Sequence, residues 1–266
     1  MFKSFLILFL LVAVTISSAC QTPSRCSPPP PCSLPANEFD PSQLLSQLRQ
    51  ESQPFAHFYE DKIAPLGYTI RWFHNLNLPP GEAVTCVYIK DHSAIIELGN
   101  TSPNDDVAFL VAHELAGVVT IDGGYFLGYS SQCEEIGGYL FDMILTPLRD
   151  SMLAEYGFNA TKEFDLRVKP VFSSACGEIN HPIVQLANAC LYVQLILYWQ
   201  DVLGNHSVPS DVENRYLQCS PESLARGKAI LAIINEVGGY DTPAKAKEIF
   251  QRIIREYNLE YCACVS

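Results

Sequence analysis

A histidine and a glutamate, His113 and Glu114, stand next to each other in a segment that is otherwise apolar. Residues 104–119 carry apolar side chains nearly all round a helix, which is the pattern of a buried helix. Burying an unpaired charge costs on the order of several kcal/mol, so these two groups need partners or a chemical task. An imidazole can bind a metal ion, and an adjacent carboxylate can take a proton from metal-bound water. The pair therefore points to metal-assisted hydrolysis.

The spacing of the pair invites comparison with the zinc pattern H-E-x-x-H. In that pattern two histidines lie one helical turn apart and bind zinc, the glutamate acts as general base, and a third ligand comes from a later helix. The five positions here are His113, Glu114, Leu115, Ala116 and Gly117. A glycine thus occupies the position of the second histidine, and the loss of one ligand should lower zinc affinity.

Alternative roles for these residues stay open at this stage. His113 could be a core histidine hydrogen-bonded to a neighbouring strand, with Glu114 paired to a buried base. If a metal site exists, a residue from elsewhere could replace the lost ligand. The candidates are Asp122, Asp142, His92 and His181, and the sequence does not choose among them. A catalytic cysteine at Cys133 or Cys176 is a further alternative, although disulfides are the expected use of cysteine here.

A second acidic motif, Glu134-Glu135, begins the next predicted helix. Over residues 68–257 the chain resembles zincin-like metallopeptidases, specifically gluzincins of the ImmA/IrrE type. The resemblance rests on the order of elements, which is strand, turn, strand, His-Glu helix and glutamate helix. It also rests on the stretches of residues 143–158 and 239–257. The resemblance implies that His113 is a zinc ligand, Glu114 the general base and Glu135 the third ligand, with Glu134 as the second choice. The chain departs from the family at Gly117 and at Thr146, where relatives often carry an acid.

The pattern of predicted strands and helices around these residues indicates an α+β fold, with a small antiparallel sheet followed by a mostly helical half. Residues 39–59 have helical spacing, and three short strands are predicted at residues 68–73, 83–89 and 94–98. The His-Glu helix is expected to start at Ser102-Pro103, a cap followed by proline. Further helices are predicted at residues 133–145, 147–156, 183–199, 222–237 and 243–257, with long loops at residues 158–169 and 205–220.

The N-terminal residues predict export. Lys3 precedes an apolar run, and small residues come just before Cys20, so residues 1–19 have the pattern of a signal peptide. The cut before Cys20 fits an ordinary signal-peptidase site or a lipoprotein with lipid on Cys20. Residues 20–37 are rich in proline and predict an extended tether to a zincin-like domain of residues 38–266. The ten cysteines then predict disulfides.

Composition narrows the classes of function. The chain of 266 residues is 48% hydrophobic, which is enough for a packed core, and its net charge of −12 argues against a nucleic-acid partner. We therefore expect an exported, secreted or lipid-anchored protein that binds a peptide or protein as a pseudoenzyme, with an incomplete zinc site. Membrane contact is expected only through a lipid on Cys20. The alternative is an active metallopeptidase that uses a metal-activated water and Glu114.

Overall fold

The computed structural model describes residues 37–78, 81–100, 106–125, 128–129, 134–165, 181–205, 210–260 and 263–264. The predicted signal peptide and all but the last residue of the predicted tether lie outside these ranges. Cys20, Cys133 and Cys176 lie outside them too.

A four-stranded sheet forms the first layer, in the order β1 (Glu38–Phe39), β2 (Thr69–His74), β4 (Ser93–Leu98) and β3 (Ala83–Tyr88). The predicted α+β class is confirmed, but the sheet is mixed and not wholly antiparallel, because β2 and β4 run parallel. Burial explains the order: five of the six residues of β4 are buried, so β4 is central, whereas the half-buried β3 lies at the edge.

Two short helices pack under the sheet in place of the one helix predicted for residues 39–59. They are α1 (Ser42–Glu51) and α2 (Gln53–Phe58), and a π-helical turn, Tyr59–Ile63, follows them. Ser52 separates them, since its side chain accepts a hydrogen bond from the Phe55 amide and caps α2.

The helix α3 (Val107–Asp122) carries His113 and Glu114 across the inner face of the sheet. Its N-cap is Asp106, whose carboxylate accepts a hydrogen bond from the Phe109 amide at 3.0 Å. The helix therefore begins later than predicted, and the expected cap at Ser102 lies outside the described residues. Most of α3 is buried, as its all-round apolar pattern predicted.

The helix α4 (Glu134–Glu155) replaces the two helices predicted on either side of Pro147. Proline inside a helix removes one backbone hydrogen bond and crowds the preceding turn. The helix continues because both of its halves are packed. Leu140 and Met143 belong to the core of the helical half, and Leu153 belongs to the core around the sheet. Tertiary burial thus overrides the local signal of the proline.

The remaining elements among the described residues are helices, apart from a two-residue pairing of β5 (Gly128–Tyr129) with β6 (Ala263–Cys264). The predicted loop at residues 205–220 is wrong for its second part, which forms an amphipathic helix that buries Tyr216. The predicted loop at residues 158–169 contains one short helix. The helices in chain order are α5 (Ala160–Glu163), α6 (Pro182–Leu197), α7 (Ser210–Cys219), α8 (Pro221–Val237) and α9 (Pro243–Glu256).

One stretch within the described residues, Pro182–Val202, is long and apolar enough to cross a membrane, with a mean hydropathy of 1.3. It comprises α6 and a π-helical turn, and 61% of its 18-residue apolar segment is buried inside the protein. Its side chains form the centre of the helical core, against α4 and α8. Burial of this kind is typical of a core helix.

Candidate functional site

The imidazole of His113 faces α4, where its Nδ1 atom lies 2.6 Å from Oδ1 of Asp150. The Asp150 side chain is 4% exposed and that of His113 is 19% exposed, so the pair is largely screened from solvent. Burial by itself lowers the pKa of His113, but the charge and hydrogen bond of Asp150, helped by Glu114, outweigh burial and raise it. This contact occupies Nδ1, and Nε2 is the ring nitrogen left for another partner.

Tyr198 lies on the other side of Asp150. Burial raises the pKa of the Tyr198 hydroxyl, and the neighbouring Asp150 carboxylate raises it further. The same hydroxyl donates to the backbone oxygen of Ala160 at 3.3 Å. Asp150 is therefore held between α3 and the end of α6, and this fixes the orientation of the His113 ring.

Glu114 faces the sheet. Its Oε2 atom accepts a hydrogen bond of 2.5 Å from the hydroxyl of Thr85 in the edge strand β3, and the residue is 7% exposed. Neighbouring positions on a helix point about 100° apart, so His113 and Glu114 bind different elements. The sequence had offered a His113 bonded to a neighbouring strand and a Glu114 paired with a buried base. In the structure the strand contact belongs to Glu114, and His113 contacts an acid on α4.

The guanidinium of Arg149 lies against Gly117, one helical turn after His113 on the same face of α3. A Cβ atom added at Gly117 would be 3.2 Å from Cζ of Arg149, 3.3 Å from Nη2 and 3.4 Å from Nε. These distances are at or inside van der Waals contact, so a side chain at position 117 requires the guanidinium to shift by a few tenths of an ångström. A permanent cation thus lies beside the position of the second histidine ligand.

Arg149 is a buried cation, with only 9% of its surface exposed. Its Nε atom is enclosed and has no hydrogen-bond partner among the described residues. The guanidinium carbon lies 6.0 Å from the ring centre of Phe141, on the same helix. A buried charge is stabilised by opposite charge or by hydrogen bonds, so Arg149 depends on the carboxylates whose charge acts on it.

Asp142 is one of these carboxylates, and seven residues on α4 separate it from Arg149, which places the two on one face of the helix. Its side chain reaches solvent, yet the surrounding protein desolvates the carboxylate and raises its pKa, while Arg149 and His113 act in the opposite direction. Asp142 is thus an exposed carboxylate on the face of α4 that carries Arg149.

Glu135 and Glu134 lie in the first turn of α4, and their side chains are outside the described residues. Fifteen residues separate Glu135 from Asp150 (150 − 135), and at 1.5 Å per residue this is about 22 Å along the helix. The helix therefore carries Glu135 well away from the Asp150 carboxylate that contacts His113. Its role as third ligand stays a prediction, and Asp150 is the acid on α4 that touches the imidazole.

The metal-ligand candidates that the sequence offered are spread over the described part of the fold. No three of the histidine, cysteine, aspartate and glutamate side chains in this part form a group that could hold a metal ion. Asp122 is exposed at the end of α3, His92 lies in an exposed turn against Tyr68, and His181 is exposed before α6. Of the four proposed replacements for the lost ligand, Asp142 is the one whose charge acts on His113.

Sequence reasoning assigned no role to Thr85, Arg149 or Asp150. Arg149 and Asp150 belong to the stretch of residues 143–158 that carries part of the resemblance. The available signal was their position in a predicted helix with an apolar pattern, since buried charges on facing helices tend to pair. A threonine in a half-buried strand gives no such signal, because threonine is common in strands for reasons of shape.

The site therefore consists of a His113–Asp150 pair, a Glu114 carboxylate fixed by Thr85, an accessible Asp142 and an Arg149 guanidinium beside the position of a ligand. No family model matches the chain, and no curated protein or solved structure shows significant similarity to it. The zincin-like relationship thus rests on the residues quoted from the sequence and stays a prediction.

Proposed function

We propose that this protein is an exported, zincin-like pseudoenzyme that binds a peptide or protein segment and works without a catalytic metal. The observation that supports the proposal is the contact between Arg149 and Gly117. It puts a fixed positive charge beside the position where a second zinc ligand would be needed. A divalent cation held there would be repelled by the guanidinium over a few ångströms in a partly desolvated environment.

The retained polar groups favour binding over loss of all function. His113 and Glu114 keep polar partners in Asp150 and Thr85, although burying a histidine and carboxylates is costly for a protein that needs only a core. Among the described strands β3, which carries Thr85, pairs with β4 alone and is therefore the edge strand. An extended peptide can hydrogen-bond to such an edge, with its side chains directed toward the polar groups.

The proposal includes the location of the protein. The signal peptide of residues 1–19 would export the chain, and the proline-rich tether would separate the domain from the envelope. A lipid on Cys20 would then be its only membrane anchor. Fractionation of cells that express the chain, with and without Cys20→Ser, tests this part: loss of the envelope-bound fraction in the variant alone supports lipid anchoring.

Zinc content and peptide hydrolysis test the functional proposal. The full-length chain is purified without chelators, its zinc is measured by elemental analysis, and hydrolysis of a mixed peptide library is followed by mass spectrometry. We expect far less than one zinc per chain and no cleavage. One zinc per chain, with cleavage that Glu114→Gln abolishes, would instead establish the active metallopeptidase.

A further inference from the structure

Gly117 and Arg149 form a sterically matched pair. Position 117 tolerates no side chain without movement of Arg149, because three atoms of its guanidinium group would lie within 3.4 Å of a Cβ added at this glycine. Gly138, inside α4, is different: a Cβ added there meets nothing within 4 Å. The close approach at Gly117 is thus not shared by every helical glycine in the protein, although Gly227 on α8 has a close approach of its own, to Tyr192.

The charge of Arg149 also fits the acids near His113. Asp150 contacts the imidazole at 2.6 Å, Glu114 is the next residue in the chain, and the charges of His113 and Arg149 both act on Asp142. A cluster of acids in a desolvated place needs a cation to be stable. In a metal site the ion supplies that charge, and here Arg149, which is next to Asp150 in the chain, is a permanently charged and buried side chain.

We infer that the Arg149 guanidinium is a built-in replacement for a metal ion, and that Gly117 and Arg149 together keep the site in a metal-free state. The inference rests on the proposed function, and it names the residue that performs the task of the ion. It implies that the site can be returned to metal binding only when both positions are changed. Gly117→His alone brings the ligand but leaves the competing charge, and loss of Arg149 alone leaves the ligand missing.

The test uses four full-length proteins: the unmodified chain, Gly117→His, Arg149→Met and the double variant. Methionine keeps most of the length of arginine without its charge. Zinc bound after gel filtration and the melting temperature with and without added Zn²⁺ are measured for each. We expect one zinc per chain and a rise in melting temperature of about 5 °C or more, at zinc well above its dissociation constant, only in the double variant.

Two outcomes would overturn the inference while the functional proposal survives. In the first, the unmodified chain is zinc-free but Gly117→His alone binds zinc as tightly as the double variant, so Arg149 is no obstacle. In the second, the double variant folds, as shown by circular dichroism, and takes up no zinc. One zinc per chain in the unmodified protein would overturn the functional proposal as well, so the two failures are distinguishable.

A second measurement covers the case in which Arg149→Met does not fold. Arg149→Lys keeps the charge but removes the planar group that touches Gly117. We expect Gly117→Ala to lower the melting temperature of the chain that keeps Arg149. In the Arg149→Lys variant we expect Gly117→Ala to lower the melting temperature less, or to raise it. The control Gly138→Ala should raise the melting temperature equally in both backgrounds. Equal changes in melting temperature on Gly117→Ala in both backgrounds would show that Gly117 and Arg149 are not sterically matched.

Discussion

The Nδ1 atom of His113 lies 2.6 Å from Oδ1 of Asp150, and this contact ties α3 to the second half of α4. It lies where the core around the sheet meets the helical core, because α4 contributes side chains to both. The candidate site is therefore also the junction between the two parts of the fold. Changes in its charged groups should affect stability as well as binding.

Asp150→Asn should destabilise the protein strongly. The substitution keeps the shape of the side chain but removes the charge that faces the buried imidazole, so we expect a loss of about 1–3 kcal/mol in the free energy of unfolding. Urea denaturation followed by circular dichroism measures it. Asp241→Asn is the matched control, since Asp241 pairs with Lys245 on the exposed surface, and it should leave the unfolding midpoint unchanged. Equal midpoints for the two variants would show that the His113–Asp150 contact is weak.

Thr85→Val should destabilise the protein, because it removes the hydrogen bond that the edge strand gives to Glu114. Valine has nearly the shape of threonine but cannot donate to Oε2, so a mostly buried carboxylate loses its close donor. We expect a cost of about 1–3 kcal/mol in thermal or urea unfolding. Thr85→Ser keeps the hydroxyl and should cost much less. In a Glu114→Gln background the cost of Thr85→Val should shrink, and an unchanged cost would mean that the effect comes from packing in β3.

Gly227→Ala should disrupt the packing of α8 on α6. A Cβ at Gly227 would lie 2.6 Å from a ring carbon of Tyr192, which is fully buried and packs against Tyr216. Because the ring cannot move away without disturbing its neighbours, we expect a loss of about 1–3 kcal/mol in the free energy of unfolding. Gly138→Ala, which adds a methyl group in open space within α4, should instead add about 0.5–1 kcal/mol. A neutral Gly227→Ala would indicate that α6 and α8 lie farther apart in solution.

Thiol titration tests the exported, disulfide-bearing state. Cys190 is buried and free, and burial raises its pKa to about 12, so it should not react at pH 8 while the protein is folded. In the denatured, unreduced protein we expect few thiols, including Cys190, because most of the other cysteines, Cys86 and Cys219 among them, should be in disulfides. Cys190→Ala should lower the count by one. Eight or more reactive thiols would contradict export into an oxidising compartment.

Local patterns in the sequence were enough for the class of the fold and for the buried character of its key helix. The all-round apolar pattern of residues 104–119 predicted a buried α3, and alternating, β-branched segments predicted the strands later found as β2, β3 and β4. These features are predictable because burial and strand formation depend on residues close in sequence. The same pattern identified His113 and Glu114 as groups that need partners, and the structure supplies them.

Tertiary structure decided which groups those partners are. Asp150 lies 37 positions from His113, and Arg149 lies 32 positions from Gly117 (150 − 113 and 149 − 117), so each contact depends on how α3 and α4 cross. Packing likewise carried α4 through Pro147 and placed β2 parallel to β4, against the local signals. A sequence shows which side chains cannot be left alone in a core, but the crossing of two helices determines which cation and which carboxylate meet them.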